Sequence, residues 1–192
     1  MFIVLIGPDG SGKTSLAKSL NSKINNSIYF HFTPTKKNIN NFDLNTIKKN
    51  NVLKTKTLIL LSIPRMIFKI IYINLVCKIK FNKWGKENKV IIGDRFLYNY
   101  FLDPESVKYY SSKKLAKYFV EKVLIKPDLV IFLKATEETI LKRKNELTQK
   151  QIINFNQLST NLNIKNLKIV NAENEFDIVL NEIENLINEK NL

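Results

Sequence analysis

The stretch Phe2-Ile3-Val4-Leu5-Ile6-Gly7-Pro8-Asp9-Gly10-Ser11-Gly12-Lys13-Thr14 decides how the rest of the chain is read. Phe2 to Ile6 is an unbroken apolar run, as a parallel strand buried on both faces requires. Gly7-x-x-x-x-Gly12-Lys13-Thr14 follows, and it leads into a helical segment. This is the pattern of a phosphate-binding loop. Glycines let the backbone curl until successive N–H groups point at one spot. The helix behind them adds its positive end. Lys13 has the reach to meet β- and γ-phosphates, and the Thr14 hydroxyl suits Mg²⁺. The bland reading is an ordinary Gly-rich turn with a surface lysine, and the strand before it and helix after it weigh against that.

Moving outward, strands alternate with helices. Ser27–Phe32 reads as a second strand, and Thr33–Asn51 as a polar loop or short helical pieces. A long helical stretch, about Thr55–Phe81, is expected to bend near Pro64. Lys89–Gly93 reads as strand 3, and Asp94–Tyr110 as irregular. Ser111 or Ser112 caps a helix to about Leu124. Asp128–Lys134 is strand 4, and Thr136 caps the next helix with Glu137 and Glu138 in its first turn. Further helices span about Lys150–Asn161 and Glu175–Glu189, on either side of strand 5 at Leu167–Val170. The alternation predicts an α/β fold with five parallel strands and helices on both faces. At 192 residues it reads as one domain over 1–192.

Composition narrows the function. The single cysteine, Cys77, forbids an intrachain disulfide, which suits a reducing cytoplasm. The single histidine, His31, excludes a His-based metal cluster. The N-terminus starts as a core strand, with no charged leader region ahead of it. A net charge of +14 invites a nucleic-acid reading. The lysines are scattered, however, and show no aromatic interleaving. A small anionic substrate suits that field as well, so no nucleic-acid partner is expected. Leu58–Ile79 is apolar enough to resemble a membrane span. Arg65 and Lys69 fall inside it and Pro64 interrupts it. A buried or subunit-interface helix is preferred over peripheral membrane contact through Lys69, Lys78, Lys80 and Lys83.

Parallel sheets bind ligands beyond the carboxyl ends of their strands. Gly93-Asp94-Arg95-Phe96 ends strand 3. There Asp94 suits the shell of a magnesium ion and Arg95 a phosphate; the alternative is a structural ion pair. Lys142-Arg143-Lys144 opens a stretch, about 142–150, that suits a basic lid; the alternative is a solvated helix face.

These residues carry a resemblance. Gly7-Pro8-Asp9-Gly10-Ser11-Gly12-Lys13-Thr14, Asp94-Arg95-Phe96, Pro127–Leu133, Arg143-Lys144 and Ile169-Val170-Asn171-Ala172 resemble motifs of the thymidylate kinase group of nucleoside monophosphate kinases. The likeness covers nearly the full chain. It implies that Asp9 approaches the acceptor's sugar, that Arg95 lies near the phosphates, and that Ala172 passes the adenine. Leu60–Arg65 loosely resembles a helix whose arginine binds the acceptor phosphate. Two departures stand out. No arginine follows strand 2, where the sequence is His31-Phe32-Thr33-Pro34-Thr35. Leu61 stands where the family usually stacks a phenylalanine on thymine. The segment from Arg65 to Asp94 is also longer than usual. Asp94-Arg95-Phe96…Asp103-Pro104 with Arg143–Leu147 resembles thymidylate kinase-like proteins found beside surface-polysaccharide genes.

The resulting expectation is an ATP- and Mg²⁺-dependent kinase of the P-loop class, with thymidine monophosphate as leading acceptor. Lys13, Asp94, Arg95 and Arg143 would be catalytic. Gly7, Asp9, Gly10, Ser11, Gly12, Lys13, Thr14, Arg143 and Ala172 would hold ATP. Asp9, Arg65 and Arg95 would hold the acceptor, and Thr14 with Asp94 the metal. The resemblance suggests a cytoplasmic homodimer through the 58–79 helix. A nucleoside or polysaccharide precursor is the alternative acceptor, and a non-catalytic nucleotide-binding regulator the alternative class. Against a regulator, no Gln or Glu follows strand 3 to position water. Lys13, Thr14 and Asp94 are all intact.

Overall fold

The computed structural model describes residues 1–32, 52–104, 107–123, 125–144, 147–160, 162 and 164–191, without the side chains of 52–58, 123 and 191. The expected loop at Thr33–Asn51 lies outside the described residues. Strands β1 (Phe2–Ile6), β2 (Ser27–His31), β3 (Val90–Asp94), β4 (Leu129–Lys134) and β5 (Leu167–Asn171) form one sheet. Its order is β2-β3-β1-β4-β5 and every pairing is parallel. Seven helices accompany it among the described residues: α1 (Lys13–Lys23), α2 (Val52–Lys86), α3 (Asn99–Leu102), α4 (Lys113–Val123), α5 (Glu137–Arg143), α6 (Gln149–Thr160) and α7 (Phe176–Asn191). The expected α/β class with five parallel strands is what the chain adopts.

All five residues of β1 are buried, as its central place requires. The chain divides into two compact units. The first comprises Met1–Phe32, Lys80–Phe96 and Lys126–Leu192 and holds the whole sheet. Its core joins Ile3, Leu5 and Ile92 to Leu16 and Leu20 of α1 and to Val179, Leu180, Ile183 and Ile187 of α7. The helical residues recur at three- and four-residue steps, which keeps them on one face. Register then brings functional positions level: Leu5 and His31 each pair with Asp94. Thr136 caps α5 as expected, its side chain accepting from the Thr139 amide at 3.5 Å with Glu137 and Glu138 in the first turn.

A second cluster in this unit is aromatic. Phe2 meets Phe32, Phe81 and Phe96, while Phe30 meets Phe32 and Trp84. Lys80 lies 4.6 Å over the Phe30 ring and 5.7 Å over that of Trp84, favourable cation–π placements. Phe32, within the stretch where an arginine was looked for, thus serves the core. It also dictates Gly93: a Cβ there would lie 2.7 Å from the Phe32 ring.

The second unit comprises Thr33–Ile79 and Leu97–Ile125. Helix α2 is longer than expected and runs through Pro64 without a break. Leu60, whose carbonyl Pro64 cannot bond, and Pro64 itself are both exposed, so the loss falls away from the core. Ser62, Met66, Ile70, Ile73 and Cys77 form a buried stripe along the helix. The opposite stripe is also apolar and is exposed: Leu61, Phe68, Tyr72, Leu75 and Ile79. The expectation of a buried helix therefore holds for one face of the single chain. By length and composition the helix could cross a membrane, its apolar window reaching a mean hydropathy of 1.8. The stretch expected to be irregular contains α3, because Tyr100, Phe101 and Leu102 bury themselves on a single turn.

Replacing Gly93 by Ala should lower stability by about 1–3 kcal/mol through overpacking against Phe32. Urea unfolding measures this, and adding Phe32→Leu should recover part of the loss.

Candidate active site

The loop between β1 and α1 turns on Gly7, whose φ of 151° puts it where side chains are disfavoured. A Cβ there would also sit 2.7 Å from the Leu133 carbonyl oxygen of β4. Only glycine lets the loop leave β1 this close to its neighbour. Gly12, at φ 91°, is the N-cap of α1, and no side chain caps that end. The helix's first N–H groups are thereby left to an external anion. The backbone closes through the Ser11 amide on the Pro8 carbonyl at 3.2 Å. The Ser11 hydroxyl is buried without a hydrogen-bond partner.

Lys13 is buried inside the loop. Its Nζ donates to the Pro8 carbonyl at 2.6 Å and reaches Asp9 Oδ1 at 3.5 Å. Burial pushes its pKa down to about 8, and the Asp9 charge only partly opposes this. Arg95 Nη2 donates to the same Asp9 oxygen at 2.6 Å. Burial works to raise the Asp9 carboxyl, but Lys13, Arg95 and Lys144 outweigh it and hold it below its ordinary value. Arg95 adopts a left-handed φ of 58°, uncommon for a non-glycine residue. Its Nε is buried without a partner.

Asp94 is fully buried. Its Oδ2 accepts from Thr14 Oγ1 at 2.6 Å, from Tyr29 Oη at 3.1 Å and from His31 Nδ1 at 3.1 Å. Its Oδ1 has no hydrogen-bond partner among the described residues. Burial, then the charge and hydrogen bond of Asp94, raise the Tyr29 hydroxyl to about 12, so it remains a donor. The Thr14 proton is committed to Asp94, which leaves the Thr14 oxygen lone pairs for something else. A hydroxyl oxygen and a free carboxylate oxygen are the hard donors that Mg²⁺ takes beside phosphates and water. The residues present therefore fit that ion.

The far side of the carboxyl edge is built separately. Asn156 of α6 donates to the Ala135 carbonyl at 2.8 Å. Glu173 Oε1 accepts from the Thr136 amide and from Thr139 Oγ1, each at 3.0 Å, and from the Thr136 hydroxyl. Arg143 Nη1 donates to the Ala172 carbonyl at 2.9 Å. Of the basic cluster, Lys142 pairs with Glu138 on an exposed helix face. Lys144 instead approaches the loop: its Cβ would lie 3.3 Å from a Cβ on Gly10.

A family model described as Thymidylate kinase matches residues 6–189. The chain belongs to the thymidylate kinase family. A comparison with curated proteins gives no match. Among solved structures, thymidylate kinase from Candida albicans has a TM-score of 0.68 at 20% identity, over 99% of this chain and 92% of that one. Thymidylate kinase from Ehrlichia chaffeensis has 0.61 at 18%, over 97% and 98%. A deoxyadenosine kinase from M. mycoides with bound dATP has 0.60 at 18%, over 98% and 100%. At these identities the likeness shows the shared fold. Family membership makes the chain an ATP-using phosphotransferase with a nucleoside monophosphate acceptor.

Within this kinase, the structure brings Gly7, Asp9, Gly10, Ser11, Gly12, Lys13, Thr14, Asp94 and Arg95 into one cluster. It joins Arg143 to Ala172 at the β5 edge. Arg65 stands on α2 in the second unit, exposed and close enough to Tyr100 for its charge to act on that hydroxyl. Two neighbours of the cluster, Tyr29 and His31, were given no site role from the sequence, and Lys144 was read only as part of the basic lid. Alternation along β2 puts Tyr29 and His31 on one face at the strand's carboxyl end, and that was the available signal.

Lys13→Met should reduce turnover at least about 100-fold. Its melting temperature should not fall, because the buried ammonium is unfavourable in the empty loop. Asp94→Asn can still offer an oxygen to three donors, so it should lose kcat by about 100-fold with little change in melting temperature. Steady-state kinetics beside thermal melts check both.

Proposed function

We propose that the protein transfers the γ-phosphoryl group of ATP to thymidine monophosphate, with Mg²⁺, as a cytoplasmic homodimer. The observation that carries the reading is the 2.6 Å bond from Thr14 to a buried Asp94, beside Lys13 and Arg95, on an uncapped helix end. Lys13 and the loop amides hold the donor's phosphates. Arg95 exchanges Asp9 for phosphate oxygens, its idle Nε adding a second donor for a bidentate grip. When bound, Mg²⁺ supplies charge neutralisation on the β- and γ-phosphate oxygens, with Thr14 and Asp94 holding it. Ala172 flanks the adenine, 142–150 acts as the lid, and Arg143 from the lid stabilises the charge on the transferred phosphoryl group. Asp9 meets the acceptor, and Arg65 of the second unit offers an exposed guanidinium suited to an acceptor phosphate. The reaction needs positioning and positive charge more than covalent help from the protein.

Acceptor affinity follows from the two departures. No arginine stands in the stretch His31–Thr35 after β2, and Phe32 within it packs into the aromatic core. The missing charge-assisted bond is worth roughly 1.5–3 kcal/mol. Leu61, one turn before Arg65, offers no aromatic stacking, a loss of about 1 kcal/mol. Thymidine monophosphate should therefore be turned over well at millimolar concentration, poorly at micromolar, and with weak discrimination against other pyrimidine monophosphates. Leu61→Phe should lower its KM several-fold. A coupled ADP assay across nucleoside monophosphates and nucleosides tests this. The absence of an arginine from His31–Thr35 also favours a second reading, a nucleoside acceptor that needs no phosphate clamp. Turnover of nucleosides alone would select it.

The dimer reading rests on the exposed stripe of α2. Phe68 and Tyr72 stack there at 6.4 Å with a 13° interplanar angle, flanked by Leu75 and Ile79. A two-fold contact buries one such stripe against itself. Light scattering should give about twice the 22.4 kDa chain mass, and Phe68→Glu should halve it. A monomer that pellets with anionic vesicles would replace the dimer with a membrane contact.

A further inference from the structure

We propose that Tyr29 and His31 are positioning residues for the metal-dependent step: they hold Asp94 by one carboxylate oxygen and keep the other available for the nucleotide-bound cation. The inference deepens the kinase reading of the site and rests on it.

The sheet itself builds this arrangement. His31 and Asp94 are register partners on β2 and β3. Tyr29, two residues earlier, shares the His31 face, and their rings stack at 6.4 Å. Ile28 and Phe30 take the other face of β2, where Phe30 meets Phe32 and Trp84. β2 thus turns one face to the aromatic core and the other to a buried acid. An apolar pair would serve packing equally well. Instead both residues present hydrogen-bond donors, and both converge on Oδ2.

The protons on Asp94 Oδ2 can be assigned from its three described partners. Tyr29 keeps its hydroxyl proton and donates it to Asp94. A carboxylate oxygen can only accept, so His31 carries its proton on Nδ1. That N–H is shared with the Tyr29 oxygen, 3.3 Å away. Thr14 supplies the third proton. Oδ2 is thereby saturated, and Oδ1 is left buried and unbonded. Without the two β2 donors, Thr14 alone among the described residues would hold Asp94 Oδ2, and Thr14 is itself assigned to the metal. Partners that fix a metal-binding carboxylate in this way typically change metal affinity 10–100-fold.

Binding of ADP by calorimetry, in EDTA and in Mg²⁺, tests the proposal without any acceptor. Tyr29→Phe and His31→Leu should each shrink the Mg²⁺-dependent gain in ADP affinity about ten-fold and leave affinity in EDTA unchanged. His31→Asn places an amide N–H where Nδ1 stands and should keep the gain. The proposal is overturned if both affinities fall in proportion, as a structural role requires, or if the gain survives both substitutions. A parent protein whose ADP affinity ignores Mg²⁺ would overturn it together with the metal assignment. A parent that shows the gain yet phosphorylates no monophosphate would sink the acceptor and leave the positioning role standing.

Discussion

A carboxylate sealed from water must be surrounded by donors, and much of this kinase is arranged around meeting that demand for Asp94. An unpaired buried charge carries a penalty of several kcal/mol. Here α1 contributes Thr14, and β2 contributes Tyr29 and His31. These donors meet only if β2 and β3 pair in the register seen, and if the loop after β1 leaves the sheet beside them. A one-residue slip of β2 would turn both donors to the aromatic side. Sheet register and phosphate chemistry are therefore one constraint, satisfied at one atom.

Around that atom lies a second balance. Lys13 and Arg95 share the single carboxylate of Asp9. Neither cation is fully satisfied: burial disfavours the Lys13 ammonium, and the Arg95 Nε is idle. The Ser11 hydroxyl and Asp94 Oδ1 are idle as well. Buried polar atoms without partners are uncommon in folded proteins. Three of those found among the described residues, Ser11 Oγ, Asp94 Oδ1 and Arg95 Nε, fall in this loop and the strand end beside it, where the phosphates of a nucleotide would meet them.

Local chemistry explains what the sequence made legible. β1, the loop and the start of α1 follow from contiguous residues with strong preferences, as does the Thr136 cap. Asp94 and Arg95 were legible because they end an apolar strand in a chain that already carries a phosphate loop. Tyr29 and His31 were not, because their meaning depends on which strand lies beside β2, a non-local fact. Phe32 shows the reverse difficulty. It lies in a stretch noted only for lacking an arginine, and the aromatic cluster reveals that Gly93 and Phe32 are fitted to each other. Helix α2 was read as buried because periodicity registers apolar content, and content alone does not separate a face packed within the chain from one awaiting a partner.

Trp84 gives the aromatic cluster an optical dimension. It is the chain's single indole, nearly buried, with its ring 5.9 Å from that of Phe30 and 6.0 Å from that of Phe81. Phe30 sits between Tyr29 and His31 on the strand that holds Asp94. The ammonium of Lys80 hangs over the same rings. Indole emission responds to nearby charge and to water entry, so any movement of β2 is transmitted to a chromophore the protein already carries. The fluorescence of the unlabelled kinase is thus a built-in gauge of how firmly β2 is seated.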